Sequence, residues 1–261
     1  AVNTRMSKRF TGNENAVGGF KTIGVIDELI ALNGFKQFVS DNGYEVCRPE
    51  LSEDSVYRLQ ASKLRNPLLA TRSEFEVVPN DITIGTNEND RLTFLTGPNS
   101  GGKSTLSKAL ILNQILGQIG GPVVASEAQM SMADRVAYHV PTPPDLEEDT
   151  GRFGYELKQV RDILDRASAK SLTVLDDCLD GTTHEERMEV LKTVLLGFRN
   201  LGGSTMFSTH AHELVEVFEE RGVGQFLQVE FDGEKPTHKI KPGVSHTSHA
   251  ASVAKEHGFD N

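Results

Sequence analysis

Residues Gly97 to Thr105 read GPNSGGKST, entered from the apolar run Leu92 to Thr96 and left into a stretch with Leu106, Ala109, Leu110, Asn113, Leu116 and Ile119 at helical spacing. The pattern is G-x-x-x-x-G-K-[ST], with Gly97, Gly102, Lys103 and Ser104 at its fixed positions and Pro98, Asn99, Ser100, Gly101 and Thr105 completing the segment. Glycines let successive backbone N–H groups converge on phosphate oxygens, and the N-terminus of the following helix adds positive potential. Lys103 is spaced to reach the outer phosphates and the Ser104 hydroxyl to ligate Mg²⁺. The stretch predicts nucleotide binding. It reads phosphates and not the base, so the loop alone does not separate ATP from GTP.

Downstream, the helix closes at Gly120-Gly121-Pro122, and VPTPPDLEEDTG from Val140 to Gly151 reads as an exposed loop, because prolines fix the backbone and remove donors. Val160, Ile163, Leu164 and Ala167 mark a second helix, and Leu172 to Leu175 a short buried strand ending in Asp176-Asp177. A strand that buries its body and delivers carboxylates at its C-terminal end suits a Mg²⁺-phosphate site. Asp176 would then hold the metal and Asp177 would orient or deprotonate the attacking water. The same two acids also read as the start of an acidic loop running through Asp180. A third helix carries Val190, Leu191, Val194, Leu195 and Phe198 to Gly202-Gly203, and Thr205 to Thr209 is a further strand closed by His210. There the imidazole can hydrogen-bond a γ-phosphate or the nucleophilic water. His210 and His212 form an H-x-H pair, but no third metal ligand accompanies them. A hairpin around Asp232-Gly233 and a helix over Ser248 to His257 are predicted near the end.

Upstream, residues 1 to about 18 read as a loose or partner-dependent arm, followed by a helix over Val25 to Val39 broken at Asn33-Gly34. Residues 44 to 88 lean towards β structure, with Phe75-Glu76-Val77-Val78 as a strand run and Pro79-Asn80-Asp81 as a turn. Strands and helices alternate through the middle of the chain. That favours an α/β fold with a mostly parallel central sheet, helices on both faces and a β-rich edge.

With 261 residues and 37% hydrophobic content the chain can bury a large core. A net charge of −10 argues against a domain that grips a nucleic-acid backbone by itself. Cys47 and Cys178 have no paired spacing, which fits a reducing compartment, and no stretch has the length of a membrane span, so a soluble, cytoplasmic protein without a membrane partner is expected.

The order of these motifs resembles the ATPase domain of the MutS mismatch-repair family, within the ABC-type P-loop NTPases. The likeness extends from about Leu59 to the C-terminus, which implies a MutS-like P-loop ATPase domain over 59–261 preceded by an N-terminal arm and helical remnant over 1–58. Pro98-Asn99 inside the loop looks like the MutS version. RNPLL (Arg65 to Leu69), AQMSMADRVAYHV, YEL (Tyr155 to Leu157), STHAHEL (Ser208 to Leu214) and GVSHTSHAASVAKEHGF fit the same order. The resemblance implies a mismatch-repair-related ATPase that hydrolyses ATP with Mg²⁺ in a homodimer or heterodimer and moves on DNA. Each loop there is completed by a signature segment of the other subunit. Carried over by position, Phe75 would stack on adenine, Ser104 and Asp176 would be the magnesium positions, and His210 would sense the γ-phosphate.

Two positions depart from the family's pattern. Asp177 stands where glutamate is usual, which withdraws the carboxylate from its water by one methylene and predicts slow hydrolysis. The signature segment reads DTGRFGYEL, placing Gly151 where a serine is common. Thr150 is one residue off, and Arg152 is a candidate cation acting across the interface, with a solvated loop position as its alternative. Only about ninety residues precede the loop, so either an excised ATPase end or a short stand-alone relative is expected, with DNA contact through regions outside the chain. Two other functions stay open: a nucleotide-dependent dimerisation switch with little turnover, and another ABC-type ATPase. The second would carry an LSGGQ-like signature, which is not present.

Overall fold

The strands that flank the predicted site lie side by side in one sheet of the computed structural model, which describes residues 14–245 other than 73, 75, 141–150, 180, 181 and 234. In chain order the elements are α1 (Glu14–Asp41), β1 (Glu50–Ser52), β2 (Leu59–Leu64), α2 (Pro67–Ala70), β3 (Asn80–Ile84), β4 (Leu92–Thr96), α3 (Lys103–Gln118), β5 (Glu127–Ser131) and β6 (Arg135–His139). They continue with α4 (Gly151–Arg166), β7 (Ser171–Asp176), α5 (His184–Leu201), β8 (Ser204–Thr209), α6 (His212–Glu220), β9 (Gln225–Asp232) and β10 (Lys235–Pro242).

Six strands form the main sheet in the order β10-β9-β4-β8-β7-β6. It is parallel from β9 to β6, and β10 pairs antiparallel with β9. β4, β8 and β7 are adjacent and buried along their whole length, as expected for parallel strands covered on both faces. The register sets Thr96 beside Thr209 and Ser208 beside Asp176, so the three strands finish at one edge. A second sheet, β1-β5-β2-β3, pairs β1 and β5 in parallel and the rest antiparallel.

Side chains alternate across the main sheet with the period of two that strands impose. Leu95, Leu172, Val174 and Met206 turn to a core shared with Leu106 and Leu110 of α3 and with Leu59, Ile84 and Met130 of the second sheet. Leu92, Phe94, Leu175 and Phe207 turn to the opposite core, filled by Val160, Leu191, Phe198 and Phe218 of α4, α5 and α6. Phe94 anchors that side, stacked on Phe226 with ring centres 5.4 Å apart and meeting Phe207 edge-on at 6.2 Å. The predicted α/β architecture with helices on both faces is therefore observed. At the end of α5, Gly202 takes the left-handed conformation that closes helices, with φ of 79°.

Several expectations are corrected. α1 begins at Glu14, within the stretch expected to be a loose arm, and runs straight through Asn33-Gly34. A helical glycine costs about 1 kcal/mol relative to alanine, which does not break a helix of this length. Residues 76–78 form no strand, and the strand starts instead at Asn80, inside the expected turn. Asn80 is buried there, its amide donating to the His238 carbonyl and its oxygen accepting from the Ile240 N–H, so tertiary hydrogen bonds decide its state. Gly151 belongs to α4 and not to the expected loop, most of which lies outside the described residues, as do the predicted helix over Ser248 to His257 and the histidines within it. Among the described residues, no helix is long and apolar enough to cross a membrane.

Candidate functional site

The loop leaves β4 at Gly97, whose φ of 144° is open only to glycine, turns through a short 3₁₀ segment over Asn99–Gly101, and enters α3 from Gly102 at φ 90°. No side chain caps α3, which leaves its first N–H groups without the usual capping acceptor. Val229 of β9 backs the loop. A Cβ on Gly97 or Gly101 would come within 2.8 or 2.9 Å of its methyl group, so the loop is a bare backbone cradle in front of a helix N-terminus. That is the donor set an anion takes.

Lys103 opens α3 with a side chain only 2% exposed. Its ammonium donates to the Gly97 carbonyl at 2.6 Å and lies 3.9 Å from Asp177 Oδ2. Burial lowers its pKa, and the Asp177 and Asp176 carboxylates pull it back only part of the way. Asp176, buried at the end of β7, accepts from the Ser208 hydroxyl at Oδ1 and from the Tyr138 hydroxyl at Oδ2, 3.2 Å away. Burial, with the Asp176 charge behind it, raises the Tyr138 pKa and keeps that phenol a donor.

Asp177 follows in a left-handed conformation, φ 42°, that carboxylate side chains adopt more readily than most. Its N–H donates to Ser208 O at 2.9 Å, while its Oδ1 accepts from the His210 backbone N–H at 3.2 Å and faces His210 Nδ1 at 3.0 Å. Burial pushes the carboxyl upward, but the His210 hydrogen bond and the Lys103 charge outweigh it and leave the pKa below the ordinary range. Lys103, Asp176, Asp177 and His210, singled out from separate parts of the sequence, thus meet at one sheet edge.

Beside the loop opens a cleft of about 370 Å³ lined by Asn66, Leu69, Val77, Ser100 to Gly102, Ser104, Thr105 and His238. Ser104 is exposed at the first turn of α3. Phe75, expected to stack on the base, lies outside the described residues, although its neighbours Glu76 and Val77 line this cleft. His238 was not legible in the sequence. It sits where the β9-β10 register slips between Pro236 and Ile240, at φ 59°, and its ring lies 3.3 Å from where a Cβ on Gly102 would stand. The only sequence signal was a hairpin, and a hairpin does not announce a bulge.

Asn66 braces the cleft floor. Its oxygen accepts from the Leu68 and Leu69 N–H groups to start α2, and its amide donates to Thr105 O at 3.1 Å. Asn66→Ala removes a buried cap and a tether to the loop helix together, and should cost about 1–2 kcal/mol in urea unfolding without changing the slope.

The residues present fit a nucleotide with magnesium. No group of three or more His, Cys, Asp and Glu side chains among the described residues could hold a metal by itself. The chain supplies few oxygens, of which the Ser104 hydroxyl and the Asp176 carboxylate are the candidates, and this suits Mg²⁺, which keeps waters and phosphate oxygens as its other ligands. At the signature segment, Gly151 starts α4 exposed at φ 65°, with nothing within 4 Å of a Cβ placed on it. Arg152 lies in the first turn of α4 and not on a solvated loop, its Nε donating to Glu156 at 2.9 Å. Thr150 lies outside the described residues.

Known proteins are similar to this chain. The family described as MutS domain V matches residues 93–261. Proteins named DNA mismatch repair protein MutS are similar: 33% identical over 199 residues in Desulforamulus reducens, covering 76% of this chain and 22% of that protein, and 30% identical over 245 residues in Halothermothrix orenii, covering 92% and 27%. The corresponding protein of Symbiobacterium thermophilum is 37% identical over 194 residues, 74% of this chain and 22% of its own. The chain thus spans about a quarter of the length of the curated relatives it matches. With glycine loop, paired aspartates and terminal histidine all inside or beside the matched region, the chain belongs to the MutS family.

Proposed function

We propose that this chain, through residues 59–261, is a Mg²⁺-dependent ATPase module of P-loop type that dimerises around ATP and drives a conformational change on DNA in mismatch repair. The observation that carries it is the buried Lys103 ammonium, set between the Gly97 carbonyl and the Asp177 carboxylate at the mouth of a bare backbone loop. An ammonium held in so dry a place against desolvation needs strong anionic partners, and the outer phosphates supply them. The loop N–H groups and the α3 N-terminus hold the phosphates, and the cleft lined by Val77, Leu69 and His238 takes the base. Ser104 and Asp176 would hold the magnesium ion, which would neutralise charge on the outer phosphates. Asp177 orients the attacking water and takes its proton, and His210, fixed by Asp177, contacts the terminal phosphate. The partner subunit closes the site with the Gly151–Arg152 end of its α4.

His238→Ala tests the base side. It should weaken ATP by about three- to tenfold and inorganic triphosphate hardly at all, since an aromatic face over a base contributes about 0.5–1.5 kcal/mol. Equal weakening of both ligands in calorimetry would place His238 outside the base pocket.

A second reading, a dimerisation switch with little hydrolysis, draws on the way His210 already engages the short Asp177 side chain through both ring and backbone. Phosphate release measured beside ATP-dependent dimerisation by light scattering separates the two. Turnover that rises with dimer formation supports the ATPase. A dimer without phosphate release, unchanged by Asp177→Glu, supports the switch, and neither binding nor dimer removes both.

A further inference from the structure

We propose that Glu156 is a positioning residue that holds the turn carrying Asp177 and links it to the Arg152 end of α4, an inference that rests on the ATPase reading above. Glu156 is fully buried on a helix whose neighbouring Val160 and Leu157 face the apolar core. A carboxylate in such a place is costly unless its oxygens are paired. Each oxygen has its own partner: Oε2 accepts from the Leu179 N–H at 2.6 Å, and Oε1 accepts from Arg152 Nε at 2.9 Å.

The turn it reaches is an unfavourable one. Asp177 and Leu179 both have positive φ, 42° and 65°, and a leucine there has no side-chain hydrogen bond to compensate it. Such a conformation persists where its surroundings over-determine it. Here the turn is pinned at one end by the Asp177 N–H on Ser208 O and at the other by the Leu179 N–H on Glu156, with Arg187 reaching the Cys178 carbonyl at 3.4 Å between them. The direction of the Asp177 carboxylate towards Lys103 and His210 depends on both pins. Arg152, 47% exposed, stands beside Gly151 at the helix end proposed to meet the partner. One buried side chain therefore spans from the interface end of α4 to the catalytic turn, and a phosphate that drew Arg152 away would remove the partner of Oε1 while Oε2 still holds the Leu179 N–H.

The test uses the full chain with Glu156→Gln, which keeps size and acceptor but not charge, and Glu156→Ala. Mg²⁺-ATP affinity, turnover and hydrogen exchange of the Leu179 amide without nucleotide are measured together. Glu156→Ala should lower turnover about tenfold or more, in keeping with the steep cost of misplaced catalytic groups, and leave ATP affinity within about twofold, because Glu156 does not touch the loop. Leu179 exchange should quicken by a similar factor, with Glu156→Gln between the alanine variant and the wild type. If Glu156→Ala does not fold, the near-isosteric Gln variant decides alone, faster Leu179 exchange supporting the role. Wild-type turnover together with wild-type Leu179 exchange in the Gln variant overturns it. Exchange is read without nucleotide, so a wild-type chain that never hydrolyses ATP would defeat the ATPase reading while still showing whether Glu156 holds the turn.

Discussion

Lys103→Ala is expected to weaken ATP binding by roughly a hundredfold or more and to abolish turnover while the fold survives. Hydrogen bonds from a charged group contribute about 1.5–3 kcal/mol each, and one ammonium reaching two phosphate oxygens accounts for a loss of that order. Its removal also takes away the cation between the incoming phosphates and the Asp177 carboxylate, so like charges face each other in a poorly solvated place. In the free chain the effects oppose one another. Deleting the lysine relieves the desolvation that lowers its pKa, but it strands the Gly97 carbonyl and removes the Lys103 charge from beside Asp177. Stability should therefore move little. Calorimetric titration with Mg²⁺-ATP, beside circular dichroism for the fold, checks both halves, and an affinity within threefold of wild type would mean that the loop does not hold phosphates.

Asp177→Asn should lower turnover by about 10²–10³-fold and leave ATP affinity nearly unchanged, which is the usual size of effect when a positioned base is lost. The amide is isosteric and its oxygen can still accept from the His210 backbone N–H, so the turn is preserved. What disappears is the basicity. In the wild type the His210 hydrogen bond and the Lys103 charge overcome burial and hold the carboxyl below its ordinary range, so it stays ionised throughout the neutral region. Any acid limb owed to Asp177 therefore appears only as pH falls below the ordinary carboxylate range, and above it turnover should not titrate with this group. Single-turnover measurement separates chemistry from release. An Asp177→Asn variant that hydrolyses ATP at the wild-type rate would move the water-activating role elsewhere.

These effects concern residues that the sequence alone brought forward, and the reason is physical. Asp176 ends β7, His210 directly follows β8, and the loop that delivers Lys103 leaves the end of β4; parallel strands place their C-terminal ends at a common edge, so local pattern and tertiary position coincide. The second sheet was less legible. Its β1-β5 pairing joins Glu50 to Gln129 across the intervening elements β2 to α3, and no local pattern encodes such a partner. Asn80 looked like a turn because asparagine favours turns, whereas its two hydrogen bonds to β10 make it the start of a strand. His238 reaches the cleft through a register slip that depends on both strands of the hairpin. Glu156 was hidden for a different reason. Periodicity weighs a helix by its apolar stripe, and a carboxylate on the buried face only makes sense once the Leu179 N–H and Arg152 are seen against it. Gly151 and Arg152 are placed at the start of α4, the helix end proposed to meet a partner.

The most direct measurement is equilibrium binding of a non-hydrolysable ATP analogue to the purified chain with and without Mg²⁺. Saturable binding of one analogue per chain, strengthened by Mg²⁺ and lost in Lys103→Ala, is the expected result. Absence of binding by the folded wild-type chain, or binding indifferent to Lys103, would contradict it.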